Sequence, residues 1–352
     1  MEFSRRKFFA GLGAVAAVGM MRAGSDAHAN PEMSDRDFEA FIHNPENGKS
    51  PEKVAAMVKF VGERLKVRGE YYRTLTESDS EEKMSQALSV VAKVSTYLTQ
   101  LYKTNSRAPE LARYFAIDAV KRSAVTMDIH DASSIRGLQG NGFLATVYGR
   151  VGAWTVGHGF DPARKPTRVD VTVGRFSLSL RLPEVNEGES VGLGMTESQC
   201  MALGVRSSDL PPIDPTLKEE DIFGSVVVNH SRPRAGAEKE KTAFSFAIPY
   251  ASVMKEIMRD GRPVPSMHHT NSLSMLKDPR DGALIPGSTE MVVASGESGS
   301  PVAVLTENGY VVLGPSSTMQ VYDNCRKLCY GIASIPPLAQ LQELARRIFH
   351  QA

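Results

Sequence analysis

The sequence has little cysteine and almost no net charge. Its 352 residues include three cysteines, and the formal net charge is +1. Three cysteines are too few for a fold held together mainly by disulfides. No basic stripe interleaved with aromatic residues is present, so we expect no nucleic-acid partner. With 41% hydrophobic residues, a chain of this length can bury a substantial apolar core in more than one domain.

Signatures of metal and cofactor sites are also missing. The adjacent histidine pair His268-His269 has no further ligands at suitable spacing, which favours a loop with solvated imidazoles. We therefore expect no metal and no cofactor. Cys325 and Cys329 could close a small loop in an oxidising compartment, but residues four apart meet disulfide geometry only where the backbone bends. The pairing of these two cysteines with each other or with Cys200 stays open.

The apolar run near the start of the chain is too short to cross a bilayer securely. It extends from Phe8 to Met21 and is rich in glycine. It follows the twin-arginine pattern Ser4-Arg5-Arg6-Lys7 and precedes Ala27-His28-Ala29, a small-x-small cleavage site. We interpret residues 1–29 as a twin-arginine signal peptide, with an uncleaved anchor as the alternative. The mature protein is then expected to be periplasmic or secreted, without stable membrane insertion.

Residues 30–130 have the periodicity of helices. Ser50 and Pro51 supply an N-cap and a first-turn proline, and apolar residues recur from Val54 to Leu65 on one helical face. A capping box at Ser78–Glu81 and a further start near Pro109 predict two more helices. We predict a helical domain, which could pack on the rest of the chain as a bundle, act as a prosegment or contact a partner.

From about residue 131 the apolar pattern changes to the two-residue period of strands. Runs separated by turns rich in glycine, proline and asparagine suit a first antiparallel barrel over residues 131–215. Later runs of the same kind suit a second barrel over residues 216–352. Apolar residues from Leu338 to Ile348 lie on one face of a predicted terminal helix.

A glycine-rich turn separates two strand-like runs of the second half. Met291 to Val293 and Val302 to Leu305 are apolar, and the segment between them reads Ala294-Ser295-Gly296-Glu297-Ser298-Gly299-Ser300-Pro301. Glycines around Ser298 allow backbone N–H groups to converge beside its hydroxyl. A serine next to such donors is suited to acyl transfer with a stabilised oxyanion. By itself this turn is equally consistent with a hairpin that has no chemistry.

Two upstream segments complete a family resemblance. Gly140 to Val147 reads Gly-Asn-Gly-Phe-Leu-Ala-Thr-Val, and Gly152 to His158 ends in Thr-Val-Gly-His. Together with Gly296 to Pro301, they resemble the first-barrel and nucleophile motifs of the trypsin/chymotrypsin-like serine peptidases. Glu297 departs from the family, which has Asp there. The resemblance covers roughly residues 135–349 and implies a mainly β protein with two antiparallel six-stranded-type barrels of the chymotrypsin-like fold.

The resemblance also implies a catalytic triad. Ser298 would be the nucleophile and His158 its base, meeting in the cleft between the barrels. Asp209 is the best match to the family's orienting acid, since a serine precedes it and a leucine follows it. Pro211 and Pro212 depart from that pattern, because a strand that contains them loses two hydrogen-bond donors. Other aspartates between the histidine and the serine match less well: Asp170, Asp214 and Asp221.

By the same resemblance, the backbone N–H groups of Gly296 and Ser298 would bind the oxyanion. Val292 would form the floor of the pocket for the P1 residue, which favours a small or apolar P1. The expected function is an exported serine endopeptidase that acts on peptides or proteins. Two alternatives stay open, namely a catalytically silent relative that binds peptides, and a periplasmic interaction protein that works through its helical domain.

Overall fold

The structure is a computed structural model of the chain. It describes residues 40–41, 43–44, 46–67, 97–98, 101–102, 117–131, 138–157, 166–181, 190–222, 224–232, 240–249, 257–259, 262–264, 270–275, 298–306, 309–316, 319–323, 329–334 and 338–350. Contacts divide the chain into two compact units, Met1–Asn44 and Pro45–Ala352. Residues 1–29 fall outside the described residues, so the signal peptide stays a prediction.

The first predicted helix is confirmed. Helix α1 covers Pro51–Val67, and the Ser50 hydroxyl oxygen accepts a hydrogen bond from the Lys53 N–H at 3.3 Å, as expected of an N-cap. The predicted apolar face is buried, with Val54, Met57 and Val61 each no more than 2% exposed. Of the second predicted helix, residues 97–98 and 101–102 are described, and they are helical.

A six-stranded antiparallel sheet follows the helical region. Helix α2, Asp118–Ser123, leads directly into strand β1. The strands are β1 (Ala124–Asp131), β2 (Leu138–Val147), β3 (Arg150–Val156), β4 (Pro166–Val173), β5 (Phe176–Arg181) and β6 (Ser190–Met195). Their order in the sheet is β5-β4-β1-β2-β3-β6. One face carries a buried apolar cluster that includes Val125, Leu144, Val171 and Leu193.

Short helical segments connect this sheet to the second β region. Helix α3 covers Glu197–Ala202 and begins with a capping box between Thr196 and Gln199. A 3₁₀ turn covers Ser207–Asp209, and helix α4 covers Glu219–Ile222. The connection is therefore ordered by local hydrogen bonds.

The second β region contains two four-stranded sheets and a short hairpin. The strands are β7 (Val226–Ser231), β8 (Lys241–Phe246), β9 (Ile248–Pro249), β10 (Ile257–Arg259), β11 (Arg262–Val264), β12 (Thr270–Met275), β13 (Pro301–Thr306), β14 (Gly309–Pro315), β15 (Met319–Asp323) and β16 (Cys329–Ser334). The sheets have the orders β14-β13-β7-β8 and β15-β16-β12-β9, and β10 pairs with β11. Every named strand pair in this region is antiparallel.

The predicted terminal helix is confirmed as helix α5, Leu338–His350. Its stripe is buried at Leu338, Leu341 and Leu344. The helix packs on β6, where a Cβ on Gly192 would come within 2.7 Å of Ile348. Glycine in β6 therefore lets the helix approach the strand closely.

The mainly β fold with N-terminal helices and a C-terminal helix is confirmed, but the first strand starts earlier than predicted. Strand β1 begins at Ala124, inside the predicted helical domain, because Val125, Met127 and Ile129 alternate with polar residues. Strands β4 and β5 are separate because Gly174 between them has φ +57° and turns the chain. The domain boundaries at residues 29, 130 and 215 stay predictions. Across the described helices, none combines the length and the apolar character needed to cross a membrane.

Candidate active site

The described part of the glycine-rich segment is a turn formed by Ser298, Gly299 and Ser300, here named the serine turn. Gly299 has φ +93°, a conformation that side-chain-bearing residues rarely adopt. Its N–H donates to the carbonyl of Ser316 at 2.7 Å, and the Ser316 N–H donates to the carbonyl of Ser300 at 2.8 Å. The buried Ser300 hydroxyl donates to Asn229 Oδ1 at 3.0 Å. The serine turn is therefore fixed to the end of β14 and to β7.

Asn141 of β2 connects the serine turn to the six-stranded sheet. Its N–H donates to the carbonyl of Ser298 at 3.3 Å. Its own carbonyl accepts from the Thr155 hydroxyl at 2.7 Å, and its side-chain Oδ1 accepts from the Arg232 N–H at 3.1 Å. A Cβ at Gly299 would overlap the Asn141 carbonyl oxygen. The two β regions therefore meet at Asn141, and glycine is required for that close approach.

His158 falls outside the described residues, but the strand before it ends at the serine turn. In the β2–β3 ladder Phe143 pairs with Trp154, and the Thr155 hydroxyl reaches the carbonyl of Asn141. The end of β3 at Val156 therefore lies beside Asn141 and Ser298. His158 follows Val156 by two residues.

Asp209 has a different environment from the one expected of an orienting acid. It ends the 3₁₀ turn that starts at Ser207, and its side chain is 42% exposed. Its carboxylate pairs with Arg206 at 3.6 Å, and that arginine side chain is 86% exposed. A surface ion pair of this kind contributes little to stability and leaves the carboxylate in contact with water.

The segment after Asp209 is attached to the far end of β2. The Thr146 N–H donates to the carbonyl of Pro211 at 3.1 Å, and the Ile213 N–H donates to the carbonyl of Thr146 at 2.7 Å. Thr146 lies five positions after Asn141 along β2, which is about 17 Å at about 3.4 Å per residue. The structure therefore does not bring Asp209 to the end of β2 where Ser298 lies.

The strand neighbour of Val156 is preceded in the sequence by a glutamate. Ser190, the first residue of β6, pairs with Val156 of β3. Its hydroxyl is buried and has no hydrogen-bond partner in the part of the chain that the structure describes. The residue before Ser190 in the sequence is Glu189, which lies outside the described residues. The sequence signal for it is an acidic residue two positions before Val191, at the start of a strand-like apolar run.

The other aspartate near His158 in the sequence has partners on the sheet surface. Asp170 in β4 lies 2.8 Å from His130 Nε2 and 3.2 Å from Arg168 Nε. The Ser179 hydroxyl donates to it at 2.5 Å. Asp170 thus belongs to a polar cluster on the face opposite the apolar core, since Val169 and Val171 beside it are buried.

The remaining site predictions fall on residues that the structure leaves undescribed. Gly296, Val292 and Glu297 are among them, so the oxyanion hole, the P1 pocket and the role of Glu297 stay predictions. Within the described ranges no group of three histidine, cysteine, aspartate or glutamate side chains could hold a metal ion. Cys200 is a buried free thiol, and burial raises its pKa.

A buried histidine lies next to Asn229 in β7. His230 is 1% exposed, and its Nδ1 lies 2.8 Å from the Thr242 hydroxyl. Burial, together with the nearby cations Lys121 and Arg232, lowers the pKa of His230 from 6.5 to about 4. The imidazole is therefore neutral at physiological pH. Neighbouring residues of a strand point to opposite faces, so His230 faces away from the Asn229–Ser300 contact.

Several solved structures are distant likenesses of this chain. No protein-family model matches the chain, and no curated protein matches it. A thermostable serine protease from an extremophilic microorganism is 9% identical, with a TM-score of 0.39 over 64% of this chain and 97% of that one. An active-form M. tuberculosis protease is 18% identical, with a TM-score of 0.34 over 64% and 82% of the two chains. The human pathogenic astrovirus serine protease is 13% identical, with a TM-score of 0.33 over 61% and 90%. Likenesses at this level carry no functional conclusion.

Proposed function

We propose that the protein is a serine peptidase in which Ser298 is the nucleophile and His158 is the general base. One observation carries this proposal, namely the hydrogen bond from the Asn141 N–H to the Ser298 carbonyl. It fixes the serine turn against the end of the strand pair that continues to His158. A nucleophile and its base from two separate β regions would then meet in one cleft.

The proposed reaction proceeds through an acyl-enzyme. Ser298 Oγ bonds to the substrate carbonyl carbon while its proton passes to His158, and the carbonyl oxygen becomes an oxyanion. The N–H groups of Gly296 and Ser298 would stabilise that charge. The C–N bond then breaks as His158 returns the proton to the leaving amine. Water attacks the acyl group in the same way and releases Ser298.

The orienting acid of this mechanism is proposed to be Glu189 and not Asp209. An acid in this role holds the imidazole from a position close to it and shielded from water. The Asp209 side chain is 42% exposed, and the residues that follow it are bonded to the Thr146 end of β2. Glu189 directly precedes Ser190 in the sequence. Ser190 pairs with Val156, at the end of β3 that leads to His158.

The substrate class and the location of the protein are part of the same proposal. Peptides or proteins with a small or apolar P1 residue are the proposed substrates, because Val292 offers no carboxylate to a basic side chain. Export by the twin-arginine route to the periplasm or beyond is proposed from residues 1–29. A silent peptide-binding relative is the competing function, since Glu297 departs from the family motif.

Covalent labelling with a fluorophosphonate tests the proposal. The full chain should be labelled at Ser298, and Ser298→Ala should lose both labelling and hydrolysis of apolar-P1 peptides. Ser208→Ala is the matched control, because Ser208 is an exposed serine that should leave labelling unchanged. An unlabelled but folded wild type that still binds peptides would favour the silent relative.

A further inference from the structure

The side chain of Asn141 makes a hydrogen bond that no other part of the residue can replace. Asn141 is 2% exposed, and its Oδ1 accepts from the backbone N–H of Arg232 at 3.1 Å. The backbone hydrogen bonds to Ser298 and Thr155 could be made by any residue in that strand position. The Oδ1 contact, by contrast, depends on the amide side chain.

That contact joins the two strands that hold opposite ends of the serine turn. The Ser298 end is bonded to Asn141 in β2, and the Ser300 end is bonded to Asn229 in β7. Arg232 follows β7 by one residue, so the bond between Arg232 and Asn141 sets the distance between β2 and the end of β7. A change in that distance would pull the two ends of the turn apart.

A second contact keeps Arg232 in place from the other side. Its Nη2 donates to the carbonyl of Lys121 in helix α2 at 3.4 Å. Lys121 in turn has its Nζ 5.1 Å from the ring centroid of Tyr102. The Arg232 N–H is therefore presented to Asn141 by a segment that is itself anchored to the helical region.

We infer that Asn141 is a positioning residue for Ser298, an inference that rests on the proposed peptidase function. It does not touch the substrate, and it acts by holding the backbone of the serine turn between the two β regions. A displacement of about 1 Å at a reacting group can cost about 100-fold in rate. Loss of the Oδ1 contact should therefore lower kcat while leaving KM nearly unchanged.

The test removes the hydrogen bond from each of its two sides in the full-length protein. Asn141→Leu keeps the approximate shape of the side chain but lacks the acceptor. Arg232→Pro removes the donor N–H, whereas Arg232→Ala removes the guanidinium and keeps the N–H. We expect Asn141→Leu to lower kcat about 10- to 100-fold with KM within about twofold. We expect Arg232→Pro to have a kcat at least about tenfold below that of Arg232→Ala.

Amide hydrogen exchange at Gly299 supplies a readout that does not depend on activity. Its N–H donates to Ser316, so faster exchange in Asn141→Leu would report a loosened serine turn. A labelled, active wild type together with wild-type kcat and exchange in Asn141→Leu and Arg232→Pro would overturn the inference and leave the peptidase function standing. A wild type without Ser298 labelling would overturn the proposed function and, with it, the positioning role of Asn141. If Asn141→Leu does not fold, the comparison of the two Arg232 variants still decides.

Discussion

A single methyl group added at Gly299 should destabilise the serine turn. Its φ of +93° costs an L-residue about 1–2 kcal/mol of backbone strain. The added Cβ would also overlap the carbonyl oxygen of Asn141 and lie 2.6 Å from the Thr155 hydroxyl oxygen. Overpacking of this kind typically costs about 1–3 kcal/mol. Gly299→Ala should therefore lower the free energy of unfolding by about 2–5 kcal/mol.

Gly149→Ala separates the two contributions. Gly149 has φ +74° in the turn between β2 and β3, and a Cβ there would meet no atom within 4 Å. It should cost only the backbone strain, about 1–2 kcal/mol. The measurement is urea unfolding of both variants and the wild type at pH 7, with the labelling rate of Ser298 as a second readout. Equal destabilisation by the two substitutions, or a Gly299→Ala variant as stable and as reactive as wild type, would refute the argued contact with Asn141.

Three further predictions concern other parts of the molecule. His230 binds a proton near pH 6.5 in the unfolded chain but only near pH 4 in the folded chain. As the pH is lowered from 6.5 to 4, the free energy of unfolding should therefore fall by up to about 3 kcal/mol. Unfolding at pH 7, 5 and 4 should show that His230→Gln flattens this loss, and parallel curves would contradict it. Gly62→Ala should destabilise by about 1–3 kcal/mol, since its Cβ would overlap the Gly224 carbonyl, whereas Gly140→Ala should be tolerated because nothing lies within 4 Å. Calorimetry of the two variants checks this, and equal melting temperatures would count against it. Asp209→Asn should keep kcat within about twofold, whereas Glu189→Gln should lower it by at least about 100-fold. The reverse ranking would restore Asp209 as the acid.

The features of the fold that depend on local residue spacing could be predicted from the sequence. The buried apolar face of α1 is predicted correctly, because a helix places residues three and four apart on one face. Strand β1 starts inside the predicted helical domain, because the helical pattern extends the predicted boundary to residue 130, whereas a two-residue alternation already begins at Val125, two positions after Ser123. Element boundaries of this kind depend on pairing with β2 and β4, which a single segment does not encode.

In the candidate site, too, local sequence patterns predict the turn at Ser298, whereas contacts between distant residues could not be predicted. The glycines on both sides of Ser298 indicate a tight turn from the local sequence alone. The assignment of Asp209 as the orienting acid also depends on a short local pattern, namely the serine before it and the leucine after it. The position of Asp209 in the fold, however, depends on hydrogen bonds between Thr146 and residues more than sixty positions later in the chain. The Asn141–Arg232 contact spans 91 positions, and nothing in the segment around Asn141 distinguishes it from a strand residue with a solvated amide.

The helical region is better explained as part of the folded unit than as a removable prosegment. The ring of Tyr102 lies 5.4 Å from that of Phe244, a fully buried residue of β8. The Gly62 backbone contacts the carbonyl of Gly224 closely, and the carbonyl of Lys121 accepts from Arg232. Release of this region would expose Phe244 and remove one of the two anchors of Arg232. Since Arg232 is bonded to Asn141, and Asn141 to Ser298, a cut that freed the helices should weaken the serine turn and not activate it.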